Sequence, residues 1–267
     1  MPEFFTTAEL ASRNRGFRRI SEQCTIVLLS SVDAQKDLAK FAPASTNASR
    51  VLHFVSGFAG GNTDVVPLGV LQFRYSIVGP YFHLPNQFWI HKNHRVVIDA
   101  LALLKARGYR VLVLCTGHTR DYRWPNYFDE LMRYAKEQNV TDYFRVVGLI
   151  PYEDMTSLMK HSIAIINPSL FEGWSTTVEE AKSLRLNMVL SNIPVHREQN
   201  PTGGVFFDPL SPVSLADALE EVMKCNPVNI AARAKAQTNI SLVEKFADFG
   251  IKYQTFALEA FLLNSKT

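Results

Sequence analysis

A chain of 267 residues, 47% hydrophobic and 20% charged, can bury one full domain and part of another. A formal net charge of +3 permits loose attraction to acidic ligands or anionic lipid and falls short of a nucleic-acid footprint, so no nucleic-acid partner is expected. No apolar run reaches the length of a membrane span, and the start, Met1-Pro2-Glu3-Phe4-Phe5, lacks the basic and apolar regions of a signal peptide. The expected location is cytoplasmic, with peripheral contact at the inner face of a membrane left open.

In chain order, residues 7 to 22 hold Arg13, Arg15, Arg18 and Arg19, which read as a solvated helix face. Thr25-Ile26-Val27-Leu28-Leu29 reads as a buried strand, residues 33 to 41 as a short helix started by Asp33, and Val51-Leu52-His53-Phe54-Val55 as a second strand. Together they form a β-α-β unit. Residues 56 to 79 carry Gly57, Gly60, Gly61, Pro67, Gly69 and Gly79 with little periodicity. Their spacing fits neither G-x-G-x-x-G nor a P-loop, so they read as a connection. The domains expected are 1–79, a partial first domain with its linker; 80–240, a second domain; and 241–267, a C-terminal helix. Cys24, Cys115 and Cys225 are far apart and odd in number, as expected of reduced core residues rather than a disulfide or metal framework.

The second domain opens with the strand Tyr81-Phe82-His83-Leu84-Pro85, then a helix from about Asn93 to Arg107 that Gly108 stops. Lys92 lies at the helix entrance, where the dipole disfavours a cation, so an anionic ligand is the better account of it. His91 and His94 lack further ligands for a metal and read as orienting groups or as packing. The strand Arg110 to Cys115 ends at Thr116-Gly117-His118, where Gly117 serves a ligand's approach or a tight turn. Residues 124 to 139 read as a polar helix, 142 to 147 as a strand, Gly148-Leu149-Ile150-Pro151 as its turn and Tyr152 to His161 as a helix.

The strand Ile163 to Ile166 leads to Pro168, then Gly173, and Thr176 with Glu179 form a capping-box pattern that opens a helix to about Leu186. A helix starting at the carboxyl end of a buried strand favours an anion such as a phosphate. Glu172 and Glu180 frame the turn, and a carboxylate there can accept from sugar hydroxyls. Glu180 reads equally as a first-turn acid complementing the dipole. Strand 188 to 191, loop 192 to 198, strand 205 to 208, a helix from Ser211-Pro212 to Lys224 and an apolar helix over 241 to 263 complete the chain.

Pro168-Ser169, Glu172-Gly173 and Glu180 resemble the donor-site signature of retaining glycosyltransferases of the GT-B fold, glycosyltransferase family 4 (group 1). There a Pro-Ser-x-x-Glu-Gly turn and a second glutamate eight positions on hold a nucleotide sugar. Asn86-Gln87-Phe88-Trp89 followed by His91-Lys92-Asn93-His94 resembles one subset of the family, and His91-Lys92-Asn93-His94 with Glu172-Gly173-Trp174-Ser175-Thr176 is similar to mannosyltransferase-like members. Lys92 matches the family's lysine, whereas Gln87 stands where most members have arginine. The resemblance extends over residues 80 to 225 and includes Ser191 to Glu198 and Phe207-Asp208-Pro209.

What the resemblance implies is an α/β fold: a Rossmann-like donor-binding domain with a parallel sheet, preceded by a partial Rossmann-like acceptor-side domain whose beginning is missing. The terminal helix would be the crossover helix of such enzymes. Lys92 and the N–H groups from Gly173 to Thr177 would hold the diphosphate, Glu172 the donor sugar and Glu180 the ribose. Leu149 and Ile150 would meet the base, with Gln87, Gly117, Trp174, Ser175, Thr176 and Thr177 completing the site. Glu172 and Lys92 are the catalytic candidates. No Asp-x-Asp pair occurs, so no metal or cofactor is expected, only a GDP- or UDP-linked sugar as substrate, mannose by similarity. The acceptor would be a glycan or a lipid-linked molecule. A second reading is a non-catalytic nucleotide-sugar-binding half that needs a partner chain, or a fragment with no activity, with a partner chain or self-association through residues 241–267 left open; a third is an epimerase or phosphorylase on the same fold. An NAD-dependent oxidoreductase is disfavoured, since neither unit carries the glycine fingerprint.

Overall fold

The computed structural model describes residues 2–56, 65–199, 201, 204–224 and 242–265. They divide into two bodies, the smaller formed by residues up to Ser56, by Glu172–Ser175 and by the C-terminal segment, the larger by the rest.

In the smaller body, helix α1 (Thr7–Gln23) begins with a reciprocal capping box between Thr6 and Glu9, and its four arginines are exposed as expected. Strands β1 (Val27–Leu29) and β2 (Ser49–Val51) pair in parallel around helix α2 (Val32–Phe41). The β-α-β reading holds with shifted ends. Ser31, not Asp33, caps α2, its hydroxyl accepting from Ala34 N at 3.0 Å. The second strand ends at Val51 because its partner β1 ends at Leu29. Cys24 is exposed rather than core, since it closes the last turn of α1, while Cys115 is buried and Cys225 lies outside the described residues. The C-terminal helix, Leu242–Asn264, has no buried residue, and its Glu259 pairs with Arg50.

The larger body is a six-stranded, wholly parallel sheet: β3 (Tyr81–Pro85), β4 (Leu112–Thr116), β5 (Phe144–Gly148), β6 (Ile165–Asn167), β7 (Met188–Ser191) and β8 (Gly204–Phe207). The spatial order is β5-β4-β3-β6-β7-β8. Its helices are α3 (Leu68–Tyr75), α4 (His94–Ala106), α5 (Tyr127–Glu137), α6 (Tyr152–His161), α7 (Thr176–Ser183), α8 (Pro194–Gln199) and α9 (Pro212–Lys224). Strand residues alternate between faces. Phe82, Leu84, Val113 and Phe144 meet α4, α5 and α9 on one side, while Tyr81, Leu114, Ile165 and Met188 meet α3, α6 and α7 on the other. Burial on both faces explains why these strands read as unbroken apolar runs.

Two helices lie where the sequence reads as connection. α3 falls within 56–79: it buries Leu71, and Arg74 and Tyr75 both bond the buried carboxylate of Asp154 in α6. Two turns with one fully buried side chain leave no visible period, and Gly57, Gly60 and Gly61 lie outside the described residues. α8 falls within the loop read over 192–198. α7 is shorter than expected, since Arg185 turns left-handed and Leu186 N donates back to Ala181 O.

Two imidazoles are fully buried in this body. His83 Nε2 lies 2.9 Å from Thr116 Oγ1, and His94 stacks on Phe88 at 4.2 Å between centroids. Burial pushes each pKa down to about 3, helped at His94 by the charge of Lys92. The unfolded chain therefore takes up protons that the folded chain refuses below about pH 6.5. Stability is complete above that pH and falls as pH drops toward 3, by about 1.4 kcal/mol per pH unit for each ring. Urea midpoints are expected to decline between pH 6.5 and 5, and a flat profile would show that the rings protonate in place.

Candidate donor-binding site

Strand order reverses between β3 and β6, so a crevice opens beyond their carboxyl ends, the place where doubly wound sheets bind ligands. Polar side chains knit the two ends together. Asn86 Nδ2 donates to Asn167 Oδ1 at 3.0 Å, and the same oxygen accepts from the Ser169 hydroxyl at 2.7 Å. Asn86, Asn167 and Ser169 are all buried, so these bonds offset the cost of removing amides from water. Ser191 Oγ donates to Ser169 O at 2.6 Å, tying in β7.

The loop after β3 is fixed to the loop after β6 by its own backbone and by one amide. Leu170 N donates to His91 O at 2.8 Å, and Asn93 Nδ2 donates to Pro168 O at 3.1 Å and to Pro209 O at 2.9 Å. Asn93 is left-handed, with φ 57°, which turns the chain from a short 3-10 helix (Ile90–Lys92) into α4. Lys92 therefore stands half-buried at the amino end of α4, immediately beside the residues anchored to the β6 loop. His94 resolves as packing beneath this loop, and His91 contributes a carbonyl and a ring 5.6 Å from that of Trp89.

The rim continues across β4 and β5. Gly117 has φ +141°, and a Cβ there would lie 2.4 Å from Asn86 O and 2.7 Å from Asn86 C. Its missing side chain lets the β4 loop pack on the β3 loop, which Phe88 N→His118 O at 3.0 Å seals. Gly117 N in turn donates to Gly148 O at 2.9 Å. Leu149 is 70% exposed at the end of β5, Ile150 is half-buried, and Gln87 is exposed. Past Gly117, buried Asp121 and half-buried Arg123 pair and brace the β4–α5 loop, with the guanidinium 5.2 Å from the Trp89 ring centroid.

Beyond β6, Thr176 and Thr177 open α7, and Glu180 stands half-buried one turn in. The Thr176–Glu179 capping box is not how this end is built. Because the helix begins at Thr176, the cap position falls to Ser175, and Glu179 turns inward: its Oε1 accepts from Lys182 Nζ and from Gln199 Nε2, both at 3.0 Å. α7 packs on α6 through Val178, Ala181, Met155 and Met159, and the Glu180 carboxylate acts on the phenol of Tyr152. The larger body thus gathers Gln87, Lys92, Gly117, Leu149, Ile150, Thr176, Thr177 and Glu180 on one edge of one sheet.

Glu172, Gly173, Trp174 and Ser175 belong to the smaller body. There the Trp174 ring stacks on His53 at 4.3 Å and its Nε1 donates to Phe54 O at 3.1 Å, while Ser30 Oγ donates to Gly173 O at 3.1 Å. Among the described residues, no group of three or more His, Cys, Asp or Glu side chains is placed to hold a metal ion, and no helix is long and apolar enough to cross a membrane. A cavity of about 550 Å³ lined by Phe82, Arg110, Val111, Asp142 and Arg145 opens at the amino-terminal edge of the sheet, away from these residues.

Residues 80–239 match the family described as glycosyl transferases group 1. Among solved structures, a glycosyltransferase from Rickettsia africae is 18% identical, with 92% of this chain aligned to 67% of that one and a TM-score of 0.72. Anabaena HepE in complex with UDP and glucose is 16% identical, with 96% aligned to 69% and a TM-score of 0.77. Sucrose-phosphate synthase from Thermosynechococcus elongatus is 17% identical, with 93% aligned to 62% and a TM-score of 0.66. The expected fold class is the one found: a Rossmann-like GT-B domain on a parallel six-stranded sheet.

Proposed function

This chain belongs to the group 1 glycosyl transferases, and from that premise we propose that it moves a sugar from a nucleoside diphosphate to an acceptor hydroxyl with retention and without a metal ion. The observation that carries this is the placement of Lys92: a cation at the amino end of α4, tied by its neighbours His91 and Asn93 to the loop that leads toward α7. At that end of the helix the dipole favours an anion, and a bound diphosphate would meet both the helix end and the ammonium. Breaking the sugar–phosphate bond puts negative charge on the departing diphosphate, and a fixed ammonium with oriented N–H groups at Thr176 and Thr177 stabilises that charge as it develops.

Glu180, one turn into α7, is assigned the ribose hydroxyls, and Leu149 and Ile150 the base. Glu172 is assigned the donor sugar and, with Lys92, the catalytic role, on the strength of the Pro168 to Glu180 sequence match. The donor we assign is a mannosyl nucleotide, from the likeness of His91-Lys92-Asn93-His94 to mannosyltransferase-like members, and the acceptor a glycan or a lipid-linked molecule. HepE has been solved with UDP and glucose, so both bases belong in the test.

Calorimetric titration of UDP, GDP, UDP-glucose and GDP-mannose into the whole chain in chelator is expected to give binding selective for one base. Glu180→Ala should weaken it at least tenfold, the loss of a charge-assisted bond of about 1.5–3 kcal/mol. A folded chain that binds none of the four would end the donor-site reading.

A further inference from the structure

Tyr152 is absent from the residues that sequence singles out, yet it occupies an unusual place. It opens α6 directly after Pro151, no side chain caps this helix, and it is 59% exposed, while Leu149, three residues earlier at the end of β5, is 70% exposed. Gly148, with φ +73°, turns the chain at the end of β5 so that this short apolar ledge forms on the carboxyl edge of the sheet.

The ledge is aimed by packing beneath it. Met155, one turn below Tyr152, accepts from the Thr116 hydroxyl at 3.4 Å and packs with Val178 and Ala181 of α7. That contact sets the first turn of α6 beside the first turns of α7, where Glu180 immediately precedes Ala181. The phenol responds to this neighbour: partial burial first, and then the Glu180 carboxylate, raise its pKa, so it stays a neutral hydroxyl donor throughout the physiological range.

From this juxtaposition we infer that Tyr152 is a specificity-determining contact for the nucleoside, its ring lying against the nucleobase above Leu149 while Glu180 holds the ribose. The inference rests on the nucleotide-sugar reading given above. An aromatic ring suits the task because every base offers a flat face to stack on, and Tyr loses little side-chain freedom when it is covered.

The test separates the two halves of the ligand. UDP, GDP and inorganic diphosphate are titrated into wild type, Tyr152→Ala and Tyr152→Phe. Tyr152→Ala is expected to weaken the preferred nucleoside diphosphate roughly tenfold or more, within the range of lost base stacking, and to leave inorganic diphosphate unchanged. Tyr152→Phe should keep binding to within about threefold, because it keeps the ring. If Tyr152→Ala binds the nucleotide as wild type does, the inference fails and the nucleotide reading stands. Equal weakening of inorganic diphosphate by both variants would also overturn it, since that marks a structural role. Wild-type protein that binds diphosphate but neither nucleotide would overturn both.

Discussion

Lys92→Ala is expected to lower kcat/KM for sugar transfer by about 10²- to 10³-fold, the usual loss when one fixed group opposite a developing negative charge is removed. The full effect should fall on this residue because Gln87, at the position where the family resemblance calls for an arginine, is neutral and exposed. No second cation at that position shares the load. The thermal midpoint should respond differently. Its removal takes a cation from the positive end of the α4 dipole, and the buried His94 beside it stays neutral near neutral pH, so stability is expected to change little. A large kinetic loss with no loss of stability distinguishes a ligand-facing lysine from a surface one. Lys92→Arg should recover part of the rate, since it restores the charge with altered geometry. Initial rates alongside thermal scans decide the matter: a rate within about threefold of wild type would remove Lys92 from the transition state.

Much of the larger body was legible because buried parallel strands and two-layer packing leave strong patterns. β7 and α6 fall at the boundaries read from sequence, 188–191 and 152–161. α3 and α8 were missed for a physical reason. With eight and six residues, they are too short to repeat a 3.6-residue period, and tertiary bonds such as Arg74 and Tyr75 to Asp154 hold α3 in place.

Within the site, the motif residues were visible as types and spacings, but their partners were not. Asn86 and Asn167 look like ordinary strand-end amides, and only the sheet order reveals that they meet. Glu179 shows the opposite failure: the right spacing for a capping box, overridden by Lys182 and Gln199. Tyr152 carried no signal, because sequence alone does not show whether an aromatic at a helix start is exposed.

Gly117→Ala tests whether the carboxyl edge is one cooperative structure. The new Cβ would sit 2.4 Å from Asn86 O, 2.7 Å from Asn86 C and 3.0 Å from Gln87 N. All three are backbone atoms, so no side-chain rotation relieves the clash, and φ +141° is strained for any L side chain. Backbone strain and overpacking each cost about 1–3 kcal/mol. A combined loss near 3 kcal/mol lowers the midpoint by about 6–12 °C for a domain of this size.

Gly148→Ala supplies the control. Its φ is +73°, but nothing lies within 4 Å of the added Cβ, so it pays conformational strain alone, about 1–2 kcal/mol. The difference between the two variants isolates the collision with the β3 loop. That collision should also reach the ligand, because the displaced Asn86 donates to Asn167 and Gln87 borders the proposed diphosphate site. Calorimetry on the surviving folded fraction is therefore expected to show weaker nucleotide binding in Gly117→Ala than in Gly148→Ala. Equal midpoints and equal affinities would mean that the β3 and β4 loops move independently, and that Gly117 is only a turn.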